Sequence, residues 1–403
     1  ERDNYYGELE VILSFLAFNS ITGMSEHHRR AYKLLSGAPQ TLSKQGIWTF
    51  GAPSVLGLYL RTGCSLRQTV EDMQECMPPY YLLSGWHGAG AAELTEAEAL
   101  LLQGRIDEMD MPLQKAYYQA EKHGQECITI CCDFLEMQRD LFRGVYSSKA
   151  EAYSHHQWQL QPWQQSMLLN TADMCAGFYY ALLGKPEYIP SWLTDENGQQ
   201  PSVLYPARPC RNYISAQCLL AQGQYTELLV RWSDWEQECR PYSNFLCLLY
   251  LQVQRAAAFA GRGDVTSCRA SLKQALAMAA ADKLMLPLAQ NIALLRPYLE
   301  QEAQGEFSAA AAAALHLGQQ LEAGRGQIMS ARFAEAGLQE LTEQELQIAQ
   351  LAAARHTNRE IAQRLSLSEG TIKQYLNKIF AKLQIDAAAK NKRHQLERFF
   401  PNS

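Results

Sequence analysis

No stretch of this 403-residue chain reaches 18 consecutive apolar residues, so nothing in it reads as a membrane-spanning helix. The chain opens Glu1-Arg2 and carries no secretory leader ending in a small-residue cleavage site. Its eleven cysteines, scattered from Cys64 to Cys268, contain no C-x-x-C, and their odd count argues against a complete disulfide framework. Cys127, Cys131 and Cys132 share one helical face. They and the rest read as small buried hydrophobes in a reducing cytosol. The pairs His27-His28 and His155-His156 lack partners at metal-ligand spacing, so no metal site is expected. No G-x-x-x-x-G-K-[S/T] is present. Gly177 and Gly184-Lys185 are wrongly spaced, and Pro186 stands where a Ser or Thr must hold magnesium. A P-loop is therefore excluded and no cofactor is expected. No Ser/His/Asp, Cys/His or paired-carboxylate motif offers local catalytic chemistry, so no catalytic residue is assigned. These absences point to a soluble, cytoplasmic protein that is not an enzyme.

Long strand-like alternation is also missing, and the chain reads as helical throughout. Glycines at positions 23, 63, 104, 144, 184, 223 and 263 are spaced by 39 to 41 residues. Several follow an apolar helix end, as in Leu100–Gly104, Tyr180–Gly184 and Leu219–Gly223. Ala116 and Ala275 each lie twelve residues past their glycine, where a small residue lets paired helices approach closely. The step resembles that of tetratricopeptide repeats, although the period is longer. Helix pairs of this length stack into a solenoid with a concave surface. The expected domains are a helical-repeat sensor and scaffold over 1–304, a coupling segment over 305–340, and a small terminal domain over 341–403. Within the coupling segment, an Ala-rich helix around Ala309–Ala314 leads to Gly324-Arg325-Gly326, which reads as a flexible break.

Large aromatics are plentiful, with 20 Tyr and 7 Trp. For Trp158, Trp163, Trp192, Trp232 and Trp235, packing between repeats is the simplest role. The turn Trp86-His87-Gly88-Ala89-Gly90 stands somewhat apart, because glycine permits close approach of backbone to a ligand and Trp86 offers a stacking face. Trp86, His87, Gly88 and Gly90 are the candidate ligand residues, with Gly51-Ala52-Pro53-Ser54 as a second patch.

The terminal segment Leu341–Leu383 lays out three short helices and two tight turns. Thr342 with Glu345, and Thr357 with Glu360, form capping boxes. Leu341 and Leu346 make a hydrophobic staple, as do Leu367 and Ile372. Ser366-Leu367-Ser368 makes the second turn, and Ser368 caps the third helix. That helix buries Ile372, Leu376, Ile379, Phe380 and Leu383. Its other face shows Lys373, Gln374, Asn377 and Lys378, with Lys382 on its flank and no acid after Glu369. Lys donates to guanine O6 and N7, while Gln and Asn pair two-pronged with adenine. Helix-turn-helix geometry puts the N-terminal part of this helix in the major groove. Lys373, Gln374 and Asn377 are therefore the expected base readers of double-stranded DNA. Arg359, Thr371, Lys378 and Lys382 are the expected phosphate contacts. Residues 341–398 carry ten Lys/Arg against six Asp/Glu, a net +4, within a chain of net −6. A basic end on an acidic chain is an electrostatic footprint for DNA.

Leu341-Thr342, Glu345, Asn358–Ala362, Leu365, Leu367-Ser368, Thr371–Lys373, Ile379 and Lys382-Leu383 together resemble the LuxR-type helix-turn-helix of bacterial transcription regulators. The resemblance implies a four-helix domain whose last helix, around Ala388–Phe399, often dimerises. Gln344 stands where the family usually has Arg, Tyr375 where it has His, and Gln384 where it has Gly. Arg355 replaces a common turn glycine, which predicts a different exit from the first helix. Lys390-Asn391-Lys392-Arg393 departs from the usual ending.

Helical repeats followed by this module resemble the MalT-like group of LuxR regulators. That resemblance implies an upstream nucleotide-binding domain absent from this chain, a sugar-like effector, RNA polymerase as a partner, and a homo-oligomer on DNA. The alternative is a helical-repeat interaction scaffold tethered to DNA, with no small-molecule ligand. A scaffold needs an extended groove, whereas a metabolite needs a closed aromatic pocket.

Overall fold

The structure, a computed structural model, describes residues 1–153, 161–195, 201–333, 341–383, 385, 396, 399 and 400. The chain divides into two compact units, Glu1–Arg143 with Ser147–Glu322, and Gly144–Tyr146 with Ala323–Ser403. Among the described residues there are helices and no strands; one isolated bridge joins Arg61 and Asn244. No helix among them is long and apolar enough to cross a membrane.

The first unit contains α1 (Arg2–Leu16), α2 (Ile21–Leu34), the short α3 (Val55–Tyr59), α4 (Leu66–Ser84), α5 (Ala91–Leu102), α6 (Asp110–His123) and α7 (Glu126–Arg143). It continues with the short α8 (Lys149–Ala152), α9 (Pro162–Leu183), α10 (Arg208–Ala221), α11 (Tyr225–Cys239), α12 (Phe245–Gly261), α13 (Val265–Ala280), α14 (Leu286–Gln290) and α15 (Ile292–Glu302). Successive long helices pack on one another, from α4 on α5 through to α12 on α13. The connections between α6 and α7, α10 and α11, and α12 and α13 are too short for anything but antiparallel hairpins. The result is the expected all-α helical-repeat stack.

Six of the seven spaced glycines occupy left-handed turns, with φ from +69° to +87° at Gly63, Gly104, Gly144, Gly184, Gly223 and Gly263. Gly23 does not. It sits in the first turn of α2, and the left-handed residue between α1 and α2 is Asn19, at φ +61°. Asn tolerates this region because its short polar side chain can bond locally, so it replaces glycine there. Ala116 and Ala275 are fully buried, as the small-residue step requires.

The segment 51–60 is buried among these helices. Every residue from Gly51 to Leu60 is buried. Thr171 Oγ1 on α9 donates to the Gly51 carbonyl (2.9 Å), and the Cys131 thiol on α7 lies 3.5 Å from that of Ala52. Asn244 Nδ2, at the start of α12, donates to the Gly57 carbonyl (2.9 Å). A Cβ on Gly57 would come within 2.6 Å of Cys210 Sγ on α10. Glu98 on α5 holds the start of α3. It accepts from Ser54 Oγ (2.5 Å) and from the amides of Val55 (3.0 Å) and Leu56 (2.9 Å). Ser54 Oγ in turn caps α3 by accepting from the Gly57 amide at 2.7 Å.

Ten of the eleven cysteines are buried, and Cys64 is exposed. Burial pushes the thiols of Cys127, Cys131, Cys132 and Cys175 up, which keeps them protonated and unreactive. Trp235 is buried, Trp192 Nε1 donates to Asp173 (2.8 Å) and Trp232 Nε1 to the Leu251 carbonyl (3.0 Å). Trp163 is exposed. His155, His156 and Trp158 lie outside the described residues.

The expected break at Gly324-Arg325-Gly326 is absent, because α16 (Ser308–Ile328) is helical straight through it and a π-helical turn, Met329–Phe333, follows. Glycine in a helix interior costs only about 1 kcal/mol, which the strong helix formers around it offset. The boundary between the two units thus falls inside a helix rather than in a loop. The second unit holds α17 (Glu343–Ala353), α18 (Asn358–Leu365) and α19 (Glu369–Lys382).

Candidate nucleic-acid interface

The three helices begin where their caps place them. Thr342 Oγ1 accepts from the Glu345 amide (3.3 Å) while Glu345 Oε2 accepts from the Thr342 amide (2.9 Å). Thr357 and Glu360 repeat the box at 3.3 and 2.7 Å. Ser368 Oγ accepts from the Thr371 amide at 3.0 Å. Ile348, Ile361, Ile372, Leu376, Ile379 and Leu383 form the core, with Leu346, Leu367 and Phe380 against it. The burial of 372, 376, 379 and 383 turns positions 373, 374, 377 and 378 outward, since residues three and four apart share a helix face. Lys373, Gln374, Asn377 and Lys378 are all exposed on that outward face.

The expected phosphate contacts divide. Arg359 and Lys378 are exposed. Thr371 is half-buried, with its hydroxyl 2.8 Å from Ser368 Oγ, so it belongs to the cap of α19 as well as to its edge. Lys382 Nζ is bound to Glu345 Oε2 at 2.6 Å, which ties the end of α19 to the start of α17. That ammonium, with the Thr342 amide, holds the Glu345 carboxyl below the usual carboxylate range.

Two departures from the family pattern turn out to be partners. Tyr375 Oη donates to Gln344 Oε1 at 2.9 Å, linking α19 to α17. Arg355 lies just past the end of α17. It takes up the left-handed conformation itself, at φ +65°, where glycine would cost least. Ser366, in the turn before α19, is likewise left-handed at φ +54°. Replacing Ser366 by Gly is expected to stabilise this domain by about 1 kcal/mol, read as a higher midpoint of its thermal unfolding. The expected fourth helix around 388–399, with Lys390–Arg393, lies mostly outside the described residues, as does Gln384. Leu396 is buried in the domain core, and Phe399 packs on it.

The turn at 86–90 is a second, separate feature, in the first unit. Trp86 stacks on His123 (4.2 Å, 8°) and on Tyr81 (5.5 Å, 17°). Gly88 and Gly90 are left-handed, at φ +72° and +96°, and each faces protein: a Cβ would lie 2.6 Å from Trp48 Cδ1 at the first and 2.6 Å from the Ala116 carbonyl at the second. The Gly88 amide donates to Gln125 Oε1 at 2.7 Å. His87 is buried, and its Nδ1 lies 2.7 Å from Tyr80 Oη. Of the four residues, His87 is the one that borders an internal cavity.

Three short capped helices, the last turning a polar face outward from a shared core, define a helix-turn-helix domain. Residues 339–390 match the sequence model of the bacterial regulatory proteins of the luxR family. The chain therefore carries a LuxR-family helix-turn-helix domain in its C-terminal part and a helical region before it. No curated protein matches the chain.

Proposed function

We propose that this protein is a sequence-specific DNA-binding transcription regulator, whose helical region senses a small ligand or a partner and mediates assembly on DNA. The outward face of α19 carries the reading: Lys373, Gln374 and Asn377 form an exposed donor surface, with no acid after Glu369, on a LuxR-family domain. In the major groove they read base edges, while Arg359, Lys378 and Thr371 hold phosphates. Lys382 reaches a phosphate only by leaving Glu345, so its main part is to brace α19. The MalT-like grouping, an upstream nucleotide-binding domain, contact with RNA polymerase and a cytoplasmic site of action belong to the same proposal.

Selection of bound duplexes from a random DNA library tests the reading. The chain is expected to recover a defined motif. Lys373→Ala or Gln374→Ala should each relax preference at particular positions, by about 1–3 kcal/mol or roughly 5- to 150-fold. Arg359→Ala should instead weaken all sequences alike and flatten the salt dependence. Equal losses on specific and random duplexes for Lys373→Ala and Gln374→Ala would remove α19 as the reader.

A further inference from the structure

A cavity of about 190 Å³ lies among α1, α2, α4 and the segment 41–50 of the first unit. Its walls include Phe50, Trp48, Tyr59, Met73, Met77 and Tyr80, and no Asp, Glu, Lys or Arg lines it. Trp48 stacks on Tyr59 (5.3 Å, 30°), and His28 lies against Tyr80 at 4.6 Å, so the walls are mutually braced. Exposed Thr41 and Ser43 stand at its edge, where a solute can enter.

The polar content of this wall is small and specific. His87 is 8% exposed, and its Nε2 is buried against the Gly46 backbone. Burial pulls the imidazoles of His28 and His87 down to about 4, so both are neutral at physiological pH.

Size, charge and polarity together restrict the occupant. An apolar protein cavity of about 150 Å³ holds benzene, so this one accommodates a single ring with a few further atoms. A charged ligand would be desolvated here with no counter-charge. A sugar would leave most of its hydroxyls unpaired against Trp, Met and Phe, which argues against the sugar-like effector implied by the MalT-like resemblance. We propose that this cavity binds a neutral, largely apolar one-ring molecule. The inference gives a chemical class to the sensing part of the proposed function. The wall segment 41–50 runs directly into the buried segment 51–60.

The test uses the whole chain without DNA, so its failure is separable from failure of the DNA-reading proposal. Benzyl alcohol, acetophenone and indole are titrated calorimetrically, with benzoate and maltose as charged and polar comparisons. Saturable one-to-one binding of at least one neutral ring is expected, with binding at least tenfold weaker for benzoate and maltose. Met24→Trp places an indole at the partly buried wall and should weaken the neutral ligand at least tenfold. Labelled methionine methyl NMR on the unaltered chain provides an independent readout, since the same probe should shift the Met73 and Met77 methyl signals. No saturable binding, equal binding of benzoate, retention of affinity in a folded Met24→Trp chain, or shifts confined to methionines other than Met24, Met73 and Met77 would each overturn the proposal.

Discussion

Glu98→Ala is expected to destabilise the helical region by about 3–5 kcal/mol, because it leaves three buried donors without an acceptor. These are Ser54 Oγ, the Val55 amide and the Leu56 amide, all buried with the segment they begin. The same carboxylate produces a pH dependence. Burial raises the Glu98 pKa from the ordinary 4.5 to about 7, against the lowering effect of its hydrogen bonds. The folded chain therefore holds a proton that the unfolded chain has released between those two values. Its stabilising contribution is fully present below pH 4.5 and is lost as pH rises through about 7. At 1.36 kcal/mol per unit the loss is about 3 kcal/mol. Glu98→Gln keeps the shape, with its amide oxygen accepting from Val55 and Leu56 and its Nε2 turned to Ser54 Oγ. It is expected to fold and to lack this slope. Urea unfolding at pH 5 and pH 8 provides the comparison. An equal slope in Glu98→Gln would mean that Glu98 is not the titrating group.

Gly88→Ala is expected to cost about 2–4 kcal/mol, combining left-handed backbone strain with overpacking. The residue has φ +72°, and the new methyl would fall 2.6 Å from Trp48 Cδ1. Trp48 cannot simply withdraw, because it stacks on Tyr59 at 5.3 Å. Gly184→Ala is the matched comparison. Its φ is +78°, yet nothing lies within 4 Å of the new methyl, so only the backbone cost of about 1 kcal/mol applies. Denaturant midpoints of the two variants separate strain from contact. Equal losses would show that Trp48 yields without cost.

The helix-turn-helix domain was legible because its determinants are local. Thr342 with Glu345, Thr357 with Glu360, and Ser368 with the Thr371 amide are each three residues apart, within reach of a single helical turn. The stripe from Ile372 to Leu383 follows from helical periodicity in the same way, and with it the exposure of Lys373, Gln374 and Asn377. The glycine spacing was nearly as readable, since a left-handed turn selects glycine directly. It failed at Gly23, where Asn19 met the same backbone need; the separate expectation of a break at Gly324–Gly326 failed because good helix formers carried the helix through.

Sequence by itself determined the helical class, the caps, the turns and the outward face of α19, because each depends on residues one to four positions apart. Tertiary structure alone decided that Glu98 would hold Ser54, 44 residues away, and that Lys382 would brace Glu345, 37 residues away, instead of standing free at the DNA face. It also decided that residues 51–60 would be buried among distant helices, and that His87 would border a cavity while Trp86, Gly88 and Gly90 made the turn beside it. Such pairings arise from burying apolar surface between distant helices, and burial has no period along the chain from which to read the partner.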